Sequence, residues 1–181
     1  MANLPTQGEV LEYFVSLSNW GRWGGEDELG TMNHVTPETR LRAARLPSEG
    51  VTVTCSRTLS NAMGPDVMAQ PLHYMIESGE GYAHNEKVGP PRASQTSTDF
   101  FGVAFHGHTV THIDSLSHFF FNGQMYNGRP SNLVSTRYGA MAESIELIQG
   151  GIMARGVLLH IPRLRGMDWS EPGEGVLREA L

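Results

Sequence analysis

The sequence predicts a loop-rich fold of short helices and short strands, and three observations lead there. Glycine and proline number 21 and 10 among 181 residues, a density that cuts a chain into short elements. Apolar residues fall at helical spacing near the N-terminus, and strand-like runs recur further along. No run of about 18 apolar residues exists, which excludes a transmembrane helix, and no membrane partner is expected. A length of 181 residues suits a single domain, taken as 1–181, with its own core.

Gln7 to Leu17 is a helix, because Val10, Leu11, Phe14, Val15 and Leu17 approximate one helical face. A glycine-rich loop with two tryptophans, Trp20 and Trp23, follows. A second helix is signed by Thr36 as N-cap, Pro37 in the first helical position and Glu38 in the first turn. It should run to Arg45 or Leu46, before Pro47. Gly50 to Arg57 alternates β-branched residues between two faces and reads as a strand. Residues from Asn61 to Pro71 are turn-rich, Leu72 to Ile76 is a strand, and Glu77 to Ser97 is a polar excursion. Phe100 to Phe105 and Gly156 to Ile161 are short apolar runs that suit buried strands, with a short helix from Ile145 to Gly150 between them. After Pro172-Gly-Glu-Gly, Val176 to Leu181 reads as the beginning of a helix with no C-cap, so the sequence is expected to be cut within it.

Composition excludes several function classes. Lys and Arg total 13 against 19 Asp and Glu, a net charge of −6 at pH 7 that disfavours nucleic acid. The N-terminus lacks the basic-then-apolar pattern of a signal peptide. The single cysteine, Cys55, cannot form an internal disulfide and rules out a cysteine-based zinc framework. A reducing cytoplasm fits this usage.

What remains is an excess of histidine. Four of the 8 histidines lie between His106 and His118, in His106-Gly-His108-Thr-Val-Thr-His112-Ile-Asp114-Ser-Leu-Ser-His118. Imidazole nitrogens and carboxylate oxygens are the usual ligands of Zn²⁺, Mn²⁺ and Fe²⁺, and catalytic sites use three of them with a position open. On an ideal strand His108 and His112 would lie about 13 Å apart, too far to share an ion. A helix would bring them to about 6 Å, but Thr109-Val110-Thr111 is a β-branched, helix-poor run. The expectation is therefore a strand that turns sharply after His108 and returns His112 and Asp114 to the same point, with His118 at the rim. His106 would stand behind the ligands; His34, His73 and His84 are isolated, and lone histidines more often pack or face solvent. Trp20, Trp23, Phe119 and Tyr126 could line a flat aryl pocket by stacking, and Asn33 and Gln124 could contact a carbonyl.

The run from His108 to His118 resembles the signature of the cyclase family, His-x-Gly-Thr-His-x-Asp-x-Pro-x-His, a family that contains bacterial kynurenine formamidase and isatin hydrolase. The resemblance extends to Trp20-Gly, to Asp27-Glu-Leu-Gly-Thr-Met-Asn and to Glu171-Pro-Gly-Glu-Gly. It implies an α/β architecture, the swivelling β/β/α fold with a central barrel-like sheet and peripheral helices, and a homo-oligomer. It also implies that His108, His112 and Asp114 bind a divalent metal, zinc or manganese, with His118 as general acid/base. The implied reaction is metal-dependent hydrolysis of a C–N bond in a small aryl or cyclic amide, such as N-formyl-kynurenine in tryptophan catabolism. Val110 stands where the signature has glycine and Leu116 where it has proline. A second histidine and a glutamate from the family's C-terminal part have no counterpart here, which implies that this is the N-terminal part of such a domain. The alternative is a truncated or degenerate member that binds metal or a partner without catalysis.

Overall fold

The computed structural model describes residues 4–64, 67, 69–83, 95–171, 173 and 175–176. His84 and nearly all of the helix expected over 176–181 lie outside them. The chain divides into two compact units, residues 1–51 with 114–181, and residues 52–113.

In the first unit, α1 (Gln7–Ser16) and α2 (Pro37–Ala44) form where their caps demand. The Thr6 hydroxyl accepts the Glu9 N–H while the Glu9 carboxylate accepts the Thr6 N–H at 2.7 Å, a reciprocal capping box. Thr36 caps α2 by accepting the Thr39 N–H, with Pro37 in the first turn. Phe14 of α1 stacks on Phe121, ring centroids 4.0 Å apart. The remainder is built from 3₁₀ turns and one minimal ladder, β3 (Val134–Ser135) against β4 (Gly139–Ala140). The short helix expected from Ile145 is a 3₁₀ helix, Ile145–Ile148, and α4 (Ile161–Leu164) carries Pro162 in its first turn. The buried apolar residues of this unit are Ala43, Met125, Tyr126 and Ala142.

The second unit contains an antiparallel pair, β1 (Leu72–Glu77) and β2 (Thr98–Gly102), and one helical turn, α3 (Glu80–Ala83). Tyr74 opposes Phe100 and the two rings stack at 5.1 Å, the cross-strand contact that stabilises such ladders. A bulge lies between Met75 and Glu77.

Three expectations are corrected. Residues 51–61 form no strand, and neither do residues 151–160. Both carry strand-like side chains, but a strand exists only with a hydrogen-bonded partner, and among the described residues neither has one. Val53 is 82% exposed and Leu158 85%. The run expected as a buried strand over 100–105 is the tail of β2, which ends at Gly102 and exposes Phe100 and Phe101. The sheets are two-stranded, and no closed barrel forms among the described residues. No helix among those residues is long and apolar enough to cross a membrane.

Candidate metal centre

Beyond β2 the chain turns over residues 106–109. The bend is made at Gly107, whose φ of 100° is open to glycine and strained for other residues. It therefore falls one residue before His108 rather than after it, and Val110 needs no glycine-like freedom. Arg57 clasps the far side of the turn. Its backbone N–H donates to Thr111 Oγ1 and its Nη1 to the His108 carbonyl, both at 2.8 Å. Thr109 between them is buried.

The consequence is a cluster within the single stretch 106–114. One ligand atom each from His106, His112 and Asp114 lies within 4.8 Å of the others. His112 Nδ1 contacts the Val110 carbonyl at 2.7 Å. A carbonyl can only accept, so Nδ1 carries the proton and, in the neutral ring, the lone pair is on Nε2. Orienting one imidazole nitrogen through the other is how metal-ligating histidines are normally set. The rings of His106 and His112 meet edge to face at 5.3 Å, and Phe105 lies against both, at 4.6 and 5.7 Å.

Two imidazoles and one carboxylate suit a divalent zinc- or manganese-like ion. A tetrahedral ion with bonds near 2.1 Å needs its ligand atoms about 3.4 Å apart. The 4.8 Å limit on the observed spacing is compatible with that separation. His108 is not one of the three; its carbonyl is held by Arg57 instead. His118 follows in a 3₁₀ turn, Leu116–His118, with Nε2 3.9 Å from Asp114 Oδ2.

The other sequence candidates are dispersed. Tyr126 is buried and donates its hydroxyl to Asp27 Oδ2 at 3.1 Å. Asn33 donates to Asp27 Oδ1 at 2.7 Å. Both serve a carboxylate rather than facing an open pocket. Burial pushes the Asp27 carboxyl up, but hydrogen bonds from Asn33, the Gly30 N–H and Tyr126 outweigh it and hold it below its ordinary value. Burial and the Asp27 carboxylate together push the Tyr126 phenol up. Trp20 is half exposed beside Gly128, and Trp23 meets His34 edge to face at 5.3 Å under the Arg22 guanidinium. Phe119 is exposed, and Gln124 closes a tight turn with Phe121 through paired backbone bonds. His73 pairs with Asp99 at 2.7 Å across the β1–β2 ladder.

Sequence reasoning missed the residues that organise the first unit. Asn127, itself left-handed at φ 56°, accepts the Gly21 N–H and donates to the carbonyls of Gly24 and Asp27. Arg129 donates to the Glu26 carbonyl at 3.1 Å and faces the carboxylates of Glu26, Glu28 and Glu143. The signal available was the compact Asp27-to-Asn33 motif; its partners, some hundred residues away, left none.

No family model matches the chain, and no curated protein matches it. A solved structure does: one described as a novel cyclase is 29% identical, with a TM-score of 0.79. The match covers 91% of this chain and 54% of that one, so the chain spans about half the length of the cyclase it resembles.

Proposed function

We propose that this chain carries the metal-binding half of a cyclase-family hydrolase that cleaves a C–N bond in a small aryl or cyclic amide. The observation that carries the reading is the meeting of His106, His112 and Asp114 within a chain similar to a solved cyclase. A divalent ion, zinc or manganese, held there would polarise the amide carbonyl and bring the pKa of water towards neutrality.

The residues divide the work. His112, with Nδ1 committed to Val110, presents Nε2 to the ion, and Asp114 supplies the anionic ligand. His106 is the third ligand that the observed cluster favours; the sequence signature points instead to His108. His118, whose Nε2 lies 3.9 Å from Asp114 Oδ2, is the general acid/base that passes a proton to the leaving amine. Trp20, Trp23, Phe119 and Tyr126 remain the candidates for aryl contact, with Tyr126 the weakest because its hydroxyl is engaged by Asp27.

The uncovered apolar runs at 51–57 and 156–160 support a swivelling β/β/α architecture in which both pair into a larger central sheet. They equally support a homo-oligomer. The 54% coverage of the solved cyclase supports a fold of which this chain supplies part, and favours a second reading in which the chain alone holds metal without turnover.

The test is metal content and hydrolysis of N-formyl-kynurenine and isatin, measured on the protein and on His112→Ala. The proposal expects about one ion per chain, lost in the variant together with any turnover. Equal metal content in the two proteins would remove the ligand assignment. Metal without turnover selects the second reading.

A further inference from the structure

Glu143 carries two costs at one position. Its φ of 56° lies in the left-handed region, and the residue is 1% exposed. Among the described residues neither carboxylate oxygen has a partner at full hydrogen-bond geometry; Arg129 Nη1 faces it at 3.9 Å. Burial pushes the carboxyl up and the Glu28 carboxylate adds to the shift, while Arg129 and, more weakly, the Tyr126 backbone N–H oppose it. A glycine would adopt this backbone without strain, and the chain does use glycine at φ 70° and 76° at positions 139 and 151. A strained backbone and an unsatisfied buried acid at one residue mark a place where structure is held for a purpose.

The bend aims the Glu143 carbonyl at the Ser117 N–H, which donates to it at 3.3 Å. Ser117 is buried in the middle of the turn Leu116–His118, and its hydroxyl meets that of Ser115 at 2.7 Å. The same turn is gripped through Leu116, which packs so closely on Gly30 that a Cβ there would lie 3.2 Å from Leu116 Cδ1. Gly30 in turn is anchored by Asp27. The Glu143 N–H donates to Glu28 at 3.4 Å, and Arg129 faces both acids. The turn carrying His118 is thus held from two directions, and Glu143 supplies one of them.

We propose that Glu143 is a positioning residue for His118, its left-handed backbone fixing the Ser117 amide and its long polar side chain, set against Arg129, fixing that backbone. The proposal rests on the reading that His118 acts on the amide. It is tested with Glu143→Val, which opposes the left-handed backbone, and Glu143→Gln, which keeps the length of the side chain. The readouts are hydrogen exchange at the Ser117 amide, metal content, and kcat and KM for amide hydrolysis.

Glu143→Val should exchange the Ser117 amide about tenfold faster, the loss of one backbone hydrogen bond, and lower kcat about tenfold with KM and metal content unchanged. Glu143→Gln should restore most of the Ser117 protection and of kcat. Equal Ser117 exchange in the two variants overturns the proposal, whichever way both move. Should Glu143→Val not fold, Glu143→Ala carries the same comparison. An inactive parent protein whose Ser117 exchange still follows Glu143 would sink the hydrolase reading while leaving Glu143 as the anchor of the turn. An active one indifferent to Glu143 would do the reverse.

Discussion

Asp27 and Asp99 each sit beside an aromatic-rich segment, yet their surroundings differ. Asp27 accepts from Gly30, Asn33 and Tyr126, in a region where Asn127 and Arg129 tie loop 21–30 to the turns over 121–130. Asp99 pairs with His73 across a two-stranded ladder whose side chains are largely exposed, each partner about half open to water. In the first region a charge organises one backbone and two side-chain donors in part-buried surroundings, where replacing the surrounding water is expensive unless every partner is present. In the second, water competes with the pair on all sides. Polar groups of the same kind should therefore matter very differently.

The largest effect should come from Arg129→Ala. Arg129 is 14% exposed and the Glu143 side chain it faces is fully buried. Removing the cation strands that acid beside Glu28, which should cost about 3 kcal/mol in urea unfolding. A loss below about 1 kcal/mol would show that the network is dispensable. Asp27→Asn comes next, at about 1–2 kcal/mol, the value of hydrogen bonds to a charged acceptor. Its pH dependence has a definite sign. Because Asp27 is held below its ordinary value, its contribution is full above the ordinary aspartate range and disappears as pH falls through the lowered value. Unfolding free energy measured down an acid series should show that loss in the parent protein and not in Asp27→Asn.

The smallest effect belongs to the hairpin. His73→Ala should change stability by less than about 0.5 kcal/mol, since the pair is exposed. A cost comparable with that of Asp27→Asn would erase the contrast between the regions. The histidine segment sharpens it differently. His106→Ala should lower divalent-metal affinity at least about tenfold, and His108→Ala should change it less than about threefold. The reverse order, read by titration with Zn²⁺ and Mn²⁺, would return the third ligand to the position that the sequence signature marks.

What the sequence made legible follows from the range of the interactions involved. Helices α1 and α2 were readable from local signals, the apolar spacing of Val10, Leu11, Phe14 and Val15 in the first and the Thr36 cap with Pro37 in the second. β1 was expected from its own residues and exists because β2 pairs with it. The runs at 50–57 and 156–161 show alternation and apolar character without pairing, because pairing depends on what lies alongside. The histidine cluster was legible as composition, and the structure groups His112 and Asp114 with His106 rather than with His108. The turn was misplaced by one residue, since Gly107 rather than the stretch after His108 supplies the positive φ. That shift puts His106 into the cluster. Glu143 and Arg129 were invisible: an isolated acid and an isolated base acquire meaning only when the fold brings them together.

The central claim is that the stretch 106–114 is a metal centre. Crystals grown with Zn²⁺ and measured on both sides of the zinc absorption edge test it most directly. The account predicts an anomalous peak within bonding distance, about 2.0–2.2 Å, of His112 and Asp114, with one further imidazole from His106. A zinc peak that avoids His112 and Asp114, or no peak at saturating zinc, would contradict it.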